Sequence, residues 1–209
     1  MHTGEEYHQF MLRSRRDRLV RDRFQSMALD LLPAGAAVLD FGAGTGIDAA
    51  IYAAENHPTF VYEPSQAMQD CLLRHCHDEI GRGTVILVAR PLVQKVQAVT
   101  ANFAVLNHVI DHRSLFEELS RAIDRGGFFL ASMLSPWYLG DARYRWWWTN
   151  MAKLVRSGRY ASPGESGIHR YAASAVVHAA LPHFRLERLV PRGFRSTANL
   201  YQFLLFRRV

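Results

Sequence analysis

Two periods organise the apolar positions of the chain. Between Tyr7 and Leu32 the residues Phe10, Leu19, Val20, Phe24, Met27, Leu31 and Leu32 follow a helical spacing, with arginines between them. This predicts one N-terminal helix over 7–32, stopped by Pro33-Ala34-Gly35. Short apolar runs bounded by turn residues follow at 37–41, 59–62, 84–88, 98–101 and 128–133, and read as strands. Helical stretches separate them: 47–55, 66–80 behind Ser65 as N-cap, and 114–123 before the glycine stop Gly126-Gly127. Residues 102–111 read as a loop with a short turn, and 135–170 as irregular. A helix over 172–181 and two strand-like runs, 183–190 and 200–207, close the chain. Strand and helix alternate five times. Right-handed crossovers turn that order into an α/β fold, a doubly wound, mostly parallel sheet with helices on both faces. The pattern predicts one domain over 1–209.

Composition narrows the class without naming a chemistry. The 209 residues are 49% apolar and 21% charged, ordinary values for a globular protein with a full core. No apolar run reaches the length of a membrane span, and the polar start, His2-Thr3-Gly4-Glu5-Glu6, predicts no secretory signal. Cys71 and Cys76 suggest no disulfide framework, so the cytoplasm is the expected setting. The net charge of +6 admits nucleic acid or an acidic partner. Arg13, Arg15, Arg16, Arg18, Arg21 and Arg23 interleave with Asp17 and Asp22, however, and read as one solvated helix face. Cys71 and His75 share a helical spacing, but no second cluster completes a metal site.

The chemistry sits in Asp40-Phe41-Gly42-Ala43-Gly44-Thr45-Gly46, a glycine turn between a predicted strand and a predicted helix. A dinucleotide fingerprint wants glycines at i, i+2 and i+5, and here they fall at 42, 44 and 46. A P-loop would end in Gly-Lys-Ser/Thr, which this turn does not. Glu63, at the end of the second strand and 21 residues after Gly42, can accept hydrogen bonds from both hydroxyls of a ribose.

The acid, the three glycines and their strand–helix setting resemble motif I of the class I S-adenosylmethionine (SAM)-dependent methyltransferases. The likeness extends from about Ala36 to Val209, the closing strand pair included. It implies a seven-stranded sheet with an antiparallel C-terminal hairpin, SAM as cofactor, and methyl transfer to an oxygen or nitrogen of a small-molecule acceptor. It also implies a cofactor site of Asp40, Phe41, Gly42, Ala43, Gly44, Glu63, Pro64 and Met68. Asn102 and Phe103, in the motif IV region after the fourth strand, would flank the methionine part of SAM. Family members often carry an acid after the third strand; here the run is Val88-Ala89-Arg90-Pro91-Leu92, so the resemblance implies either that backbone groups around Ala89 and Arg90 meet the adenine instead or that SAM binds less tightly than usual. The N-terminal segment, 1–33, would cap the cofactor, with Tyr7, Arg13 or Arg16 meeting its carboxylate. Three other readings stand beside this one: a SAM-binding partner without catalysis, a nicotinamide-dependent oxidoreductase, and an RNA methyltransferase.

Candidate catalytic residues are His108, His169 and Tyr171, with His112 as a further base. All four tryptophans lie in 137–148, inside the stretch 135–170 inserted after the fifth strand. Such a segment can fold over the carboxyl end of the sheet as a lid, with a hinge at 162–167, or form an oligomer contact or a membrane-facing surface. The arginines among its aromatics also suit stacked nucleic acid bases.

Overall fold

The computed structural model describes residues 4–90, 94–162 and 167–209. In chain order the elements are α1 (Gly4–Arg13), α2 (Arg15–Leu29), β1 (Val38–Phe41), α3 (Ile47–Ala54), β2 (Thr59–Tyr62), α4 (Gln66–His75), α5 (His77–Gly81) and β3 (Val85–Leu87). They continue as β4 (Val96–Ala101), α6 (Val105–His108), α7 (His112–Ala122), β5 (Ile123–Leu134), α8 (Arg145–Ser157), β6 (Arg159–Ala161), β7 (His169–Tyr171), α9 (Ala173–Ala180), β8 (Phe184–Val190) and β9 (Tyr201–Arg208). The main sheet has seven strands in the order β3-β2-β1-β4-β5-β9-β8. β1 to β5 are parallel, and β9 enters antiparallel between β5 and β8. This is the α/β, doubly wound architecture expected.

Alternate residues of the central strands feed two cores, one on each face of the sheet. Leu39, Val99, Phe129 and Ala131 point to α7 and α9; Val38, Ala98, Phe128 and Leu130 point to α2 and α3. Phe116 of α7 is fully buried and packs its ring against Phe129, Phe184 and Phe206. It therefore ties α7 to β5, β8 and β9.

Four local expectations need correction. The N-terminal helix is two helices. Ser14 leaves the helical region (φ −70, ψ 107) and its hydroxyl accepts from the Asp17 backbone N–H at 3.3 Å. The predicted apolar stripe breaks with it, since Phe10 and Leu19 are both 61% exposed. The helix expected over 66–80 likewise divides, at Cys76. β5 starts at Ile123, five residues early, and passes its glycines as a bulge between the Ile123–Val96 and Phe128–Ala98 pairs.

The described residues of the stretch expected to be irregular form regular elements: α8 buries Trp147, Asn150 and Leu154, and β6 pairs with β7. Three consecutive tryptophans had hidden that helical period. The expected hinge falls largely on 163–166, which with Pro91 and Leu92 lie outside the described residues. Replacing Phe116 by Ala should destabilise the fold by about 3–5 kcal/mol in chemical denaturation. A loss below about 1 kcal/mol would contradict its place at the centre of that core.

Candidate functional site

β1 delivers the glycine turn to the carboxyl end of the sheet. There the Gly42 and Ala43 N–H groups donate to the Tyr62 carbonyl of β2, at 2.8 and 3.0 Å. Gly42 (φ 78) must lack a side chain because a Cβ would stand 2.7 Å from Val105 Cγ2. Gly46 meets Cys76 in the same way, its carbonyl accepting from the Cys76 thiol. Gly44 differs. Its φ is +56, and a Cβ there would meet no protein atom within 4 Å, because it borders a cleft of about 570 Å³. That volume is of the size that small-ligand pockets have.

Glu63 faces the same cleft from the end of β2. Its Oε2 accepts from the Gly44 N–H at 2.8 Å and its Oε1 from the Ser65 N–H at 2.8 Å. One carboxylate thus fixes the glycine turn and the entry to α4. Each oxygen keeps lone-pair capacity for a further donor from the cleft. Phe41 and Tyr62 stack at 5.5 Å beside it.

The floor is a buried polar network centred on Asp48. Its Oδ1 accepts from Arg21 Nη1 (3.2 Å) and Gln25 Nε2 (2.6 Å), and its Oδ2 from Asn102 Nδ2 (2.9 Å). Asn102 Oδ1 in turn accepts from the Phe103 N–H and the Ser132 hydroxyl. These bonds hold Phe103 and Ala104 at φ 50 and 67, a region that non-glycine residues enter at a cost of about 1–3 kcal/mol each. The Arg21 guanidinium lies 4.6 Å over the Phe103 ring. Tyr7 of α1 closes the side of the cleft.

Of the residues proposed from sequence for the cofactor, Phe41, Gly42, Ala43, Gly44, Glu63, Pro64, Met68, Asn102 and Phe103 converge on this cleft. Three do not. Asp40 is buried under the turn, accepting from Thr100, while its Oδ2 has no hydrogen-bond partner among the described residues. Burial above all, then the neighbouring charge of Asp48, holds its carboxyl well above the usual carboxylate range. Arg16 points to a separate hollow and sits over Tyr138. Arg90 is exposed beyond β3, away from the described lining.

Among the catalytic candidates His108 is exposed at the cleft wall. Tyr171 is buried with its hydroxyl donating to the Val109 carbonyl, and His169 sits beside it; neither lines the cleft. His112 is also buried; its Nε2 bonds the Leu106 carbonyl, and burial lowers its pKa. No described residue of 135–170 lines the cleft. Sequence reasoning missed Asp48, which reads as an ordinary first-turn helix acid, and Arg21, which hides among solvated arginines.

The folded Asp40 carboxyl holds its proton to a higher pH than in the unfolded chain, so ionisation on raising pH favours unfolding. Asp40→Asn removes that effect. Its stability relative to wild type should rise as the pH is raised above about 4 in urea titrations, whereas parallel profiles would contradict a carboxyl held above its ordinary range.

Comparison with known proteins agrees with this geometry. The family described as methyltransferase domain matches residues 12–174. No curated protein matches in sequence. Similar solved structures include the N-methyltransferase NodS from Bradyrhizobium japonicum WM9 bound to S-adenosyl-L-homocysteine (SAH), with TM-score 0.65 and 12% identity over 95% of this chain and 90% of that one. The CcbJ methyltransferase from Streptomyces caelestis gives TM-score 0.65 and 17% identity, over 90% of this chain and 89% of that one. Magnesium protoporphyrin IX methyltransferase from Synechocystis PCC 6803, bound to SAH, gives 0.62 and 16%, over 92% and 82%. At such identities the likeness is one of fold. The family match carries the assignment: this chain belongs to the methyltransferase-domain family and is a class I SAM-dependent methyltransferase.

Proposed function

We propose that the cleft over the glycine turn holds SAM and that the methyl group goes to an oxygen or nitrogen of a small-molecule acceptor. The observation that carries this reading is the convergence of an open Gly44 and an acidic Glu63 on one cleft of suitable size. Glu63 would accept the ribose hydroxyls, while Tyr62, Pro64 and Met68 would pack around the adenosine. Arg21 spends one nitrogen on Asp48 and keeps other N–H donors for a carboxylate, the part expected of Tyr7, Arg13 or Arg16. Tyr7 would close the site from α1. When bound, SAM supplies a methyl group on a positively charged sulfur.

The protein's own part is alignment and exclusion of water. Where the acceptor must lose a proton, His108 on the turn after Phe103 is our candidate to take it; among the described lining residues no other imidazole is present. Tyr171 is already committed to Val109, and His169 stands behind it. Trp147 and Trp148 direct their ring N–H groups to Pro136 and Ala142 carbonyls, which favours a structural use of the segment over a closed lid. The magnesium protoporphyrin IX methyltransferase named above, whose name gives a small-molecule acceptor, supports the acceptor class. Two buried free thiols are consistent with a cytoplasmic setting.

Gly44→Val places a branched side chain at positive φ on the cleft wall. Calorimetry should show SAH binding lost while melting falls by only about 2–4 °C; unchanged affinity would sink the cofactor site. Glu63→Gln should weaken SAH by about 1.5–3 kcal/mol, since one charged acceptor is gone, and wild-type affinity would remove the ribose role. With an acceptor that must lose a proton, His108→Asn should lower kcat by about 100-fold or more and leave SAH affinity unchanged. An unaltered kcat and pH profile would show that His108 takes no proton.

A further inference from the structure

A second hollow, of about 760 Å³, adjoins the cofactor cleft. Its walls are the first half of α2, Tyr138, the end of β8 and the segment entering β9. The Phe103 ring separates the two spaces. It lines the cleft on one side and packs edge-on against Tyr201, a wall of the hollow, at a centroid distance of 5.5 Å. Burial, then the charge of Asp17, holds the Tyr201 phenol above its ordinary value. The left-handed backbone at Phe103 and Ala104 is what puts this ring on the partition.

The hollow has a definite chemistry. Arg15, Arg16 and Arg23 enter it, and no acid stands among its described lining residues. The Arg16 guanidinium lies over the Tyr138 ring at 5.5 Å and that of Arg23 over Phe203 at 5.9 Å. Neither forms an ion pair among the described residues. Stacked guanidinium groups present their N–H edges in a fixed plane, an arrangement suited to carboxylate or phosphate. Leu19, 61% exposed, supplies an apolar surface beside them. Asp17 acts on Tyr201 electrostatically but does not line the hollow.

We propose that this hollow anchors the far end of the acceptor: a small molecule whose apolar or aromatic body reaches past the Phe103 ring to present its reacting atom in the cleft, and whose one carboxylate or phosphate group is held in the hollow by Arg16 and Arg23. The proposal rests on the reading of the neighbouring cleft as the SAM site. It gives the two arginines a task distinct from cofactor binding.

The test is direct binding with the cleft filled. In saturating SAH, the full chain is titrated by calorimetry with 2-naphthoate, 2-naphthyl phosphate and the neutral 2-naphthamide. At least one anion should bind saturably, and about tenfold or more tighter than the amide. The tighter of the two anions distinguishes carboxylate from phosphate. Arg16→Ala with Arg23→Ala, both on the exposed face of α2, should weaken that anion about tenfold or more while SAH affinity stays as in wild type. Ala198→Trp, which fills the hollow from its exposed rim, should also remove anion binding and spare SAH.

Equal binding of amide and anions would overturn the proposal. So would undiminished anion binding in the double variant, or no saturable binding by either anion at millimolar concentration. Failure of the wild-type chain to bind SAH at the outset would instead overturn the cofactor reading, so the two failures are distinguishable.

Discussion

Asp48 is the residue on which the site depends. A carboxylate taken out of water is tolerated only when its partners compensate for lost hydration, and here three side chains from two other elements do so. The same bonds that satisfy Asp48 bring α2 onto α3 and lock Asn102 at the end of β4. Asn102 then fixes Phe103 in a strained backbone, and Phe103 carries Arg21 on its face. Cleft floor, partition and guanidinium are thus consequences of one buried charge. Loss of that charge would leave Arg21 and two amides unsatisfied together.

Above this floor the three glycines do different work. Gly42 and Gly46 are empty because neighbouring side chains fill their space, so they are packing requirements of the turn. Gly44 is open to the cleft and leaves room for a ligand. Glu63 bonds its N–H from the end of the neighbouring strand, which keeps the turn shaped and an acceptor group presented. No phosphate-binding element is needed for a cofactor with an amino-acid end and a nucleoside end. The acidic lining of the cleft and the arginine lining of the neighbouring hollow divide the labour between a cationic donor and an anionic acceptor.

The sheet was legible because buried parallel strands are short apolar runs between turn residues, as in 59–62 and 98–101. Most residues of the cleft were legible because the glycine turn is contiguous and Glu63 lies at a fixed distance from it. What the sequence concealed depends on contacts between distant residues. Asp40 looked like the acid of the site, but in a strand its side chain points beneath the turn; Asp48, in the following helix, reaches the cleft. Arg21 and Arg16 are indistinguishable in composition, and five residues of helix send them to different spaces. α8 escaped notice because three adjacent tryptophans erase the periodicity that Trp147, Asn150 and Leu154 carry. The break at Ser14 did leave a signal, a Ser-x-x-Asp cap, which the run of surrounding arginines obscured.

The central claim is that the cleft between Gly44 and Glu63 is built for SAM and not for a dinucleotide. A crystal structure of the wild-type chain grown with an equimolar mixture of SAH and NADH tests it in one measurement. The account predicts SAH in the cleft, its ribose hydroxyls on Glu63 and its amino-acid end toward Arg21. NADH in that place, or SAH with its ribose away from Glu63, would contradict it.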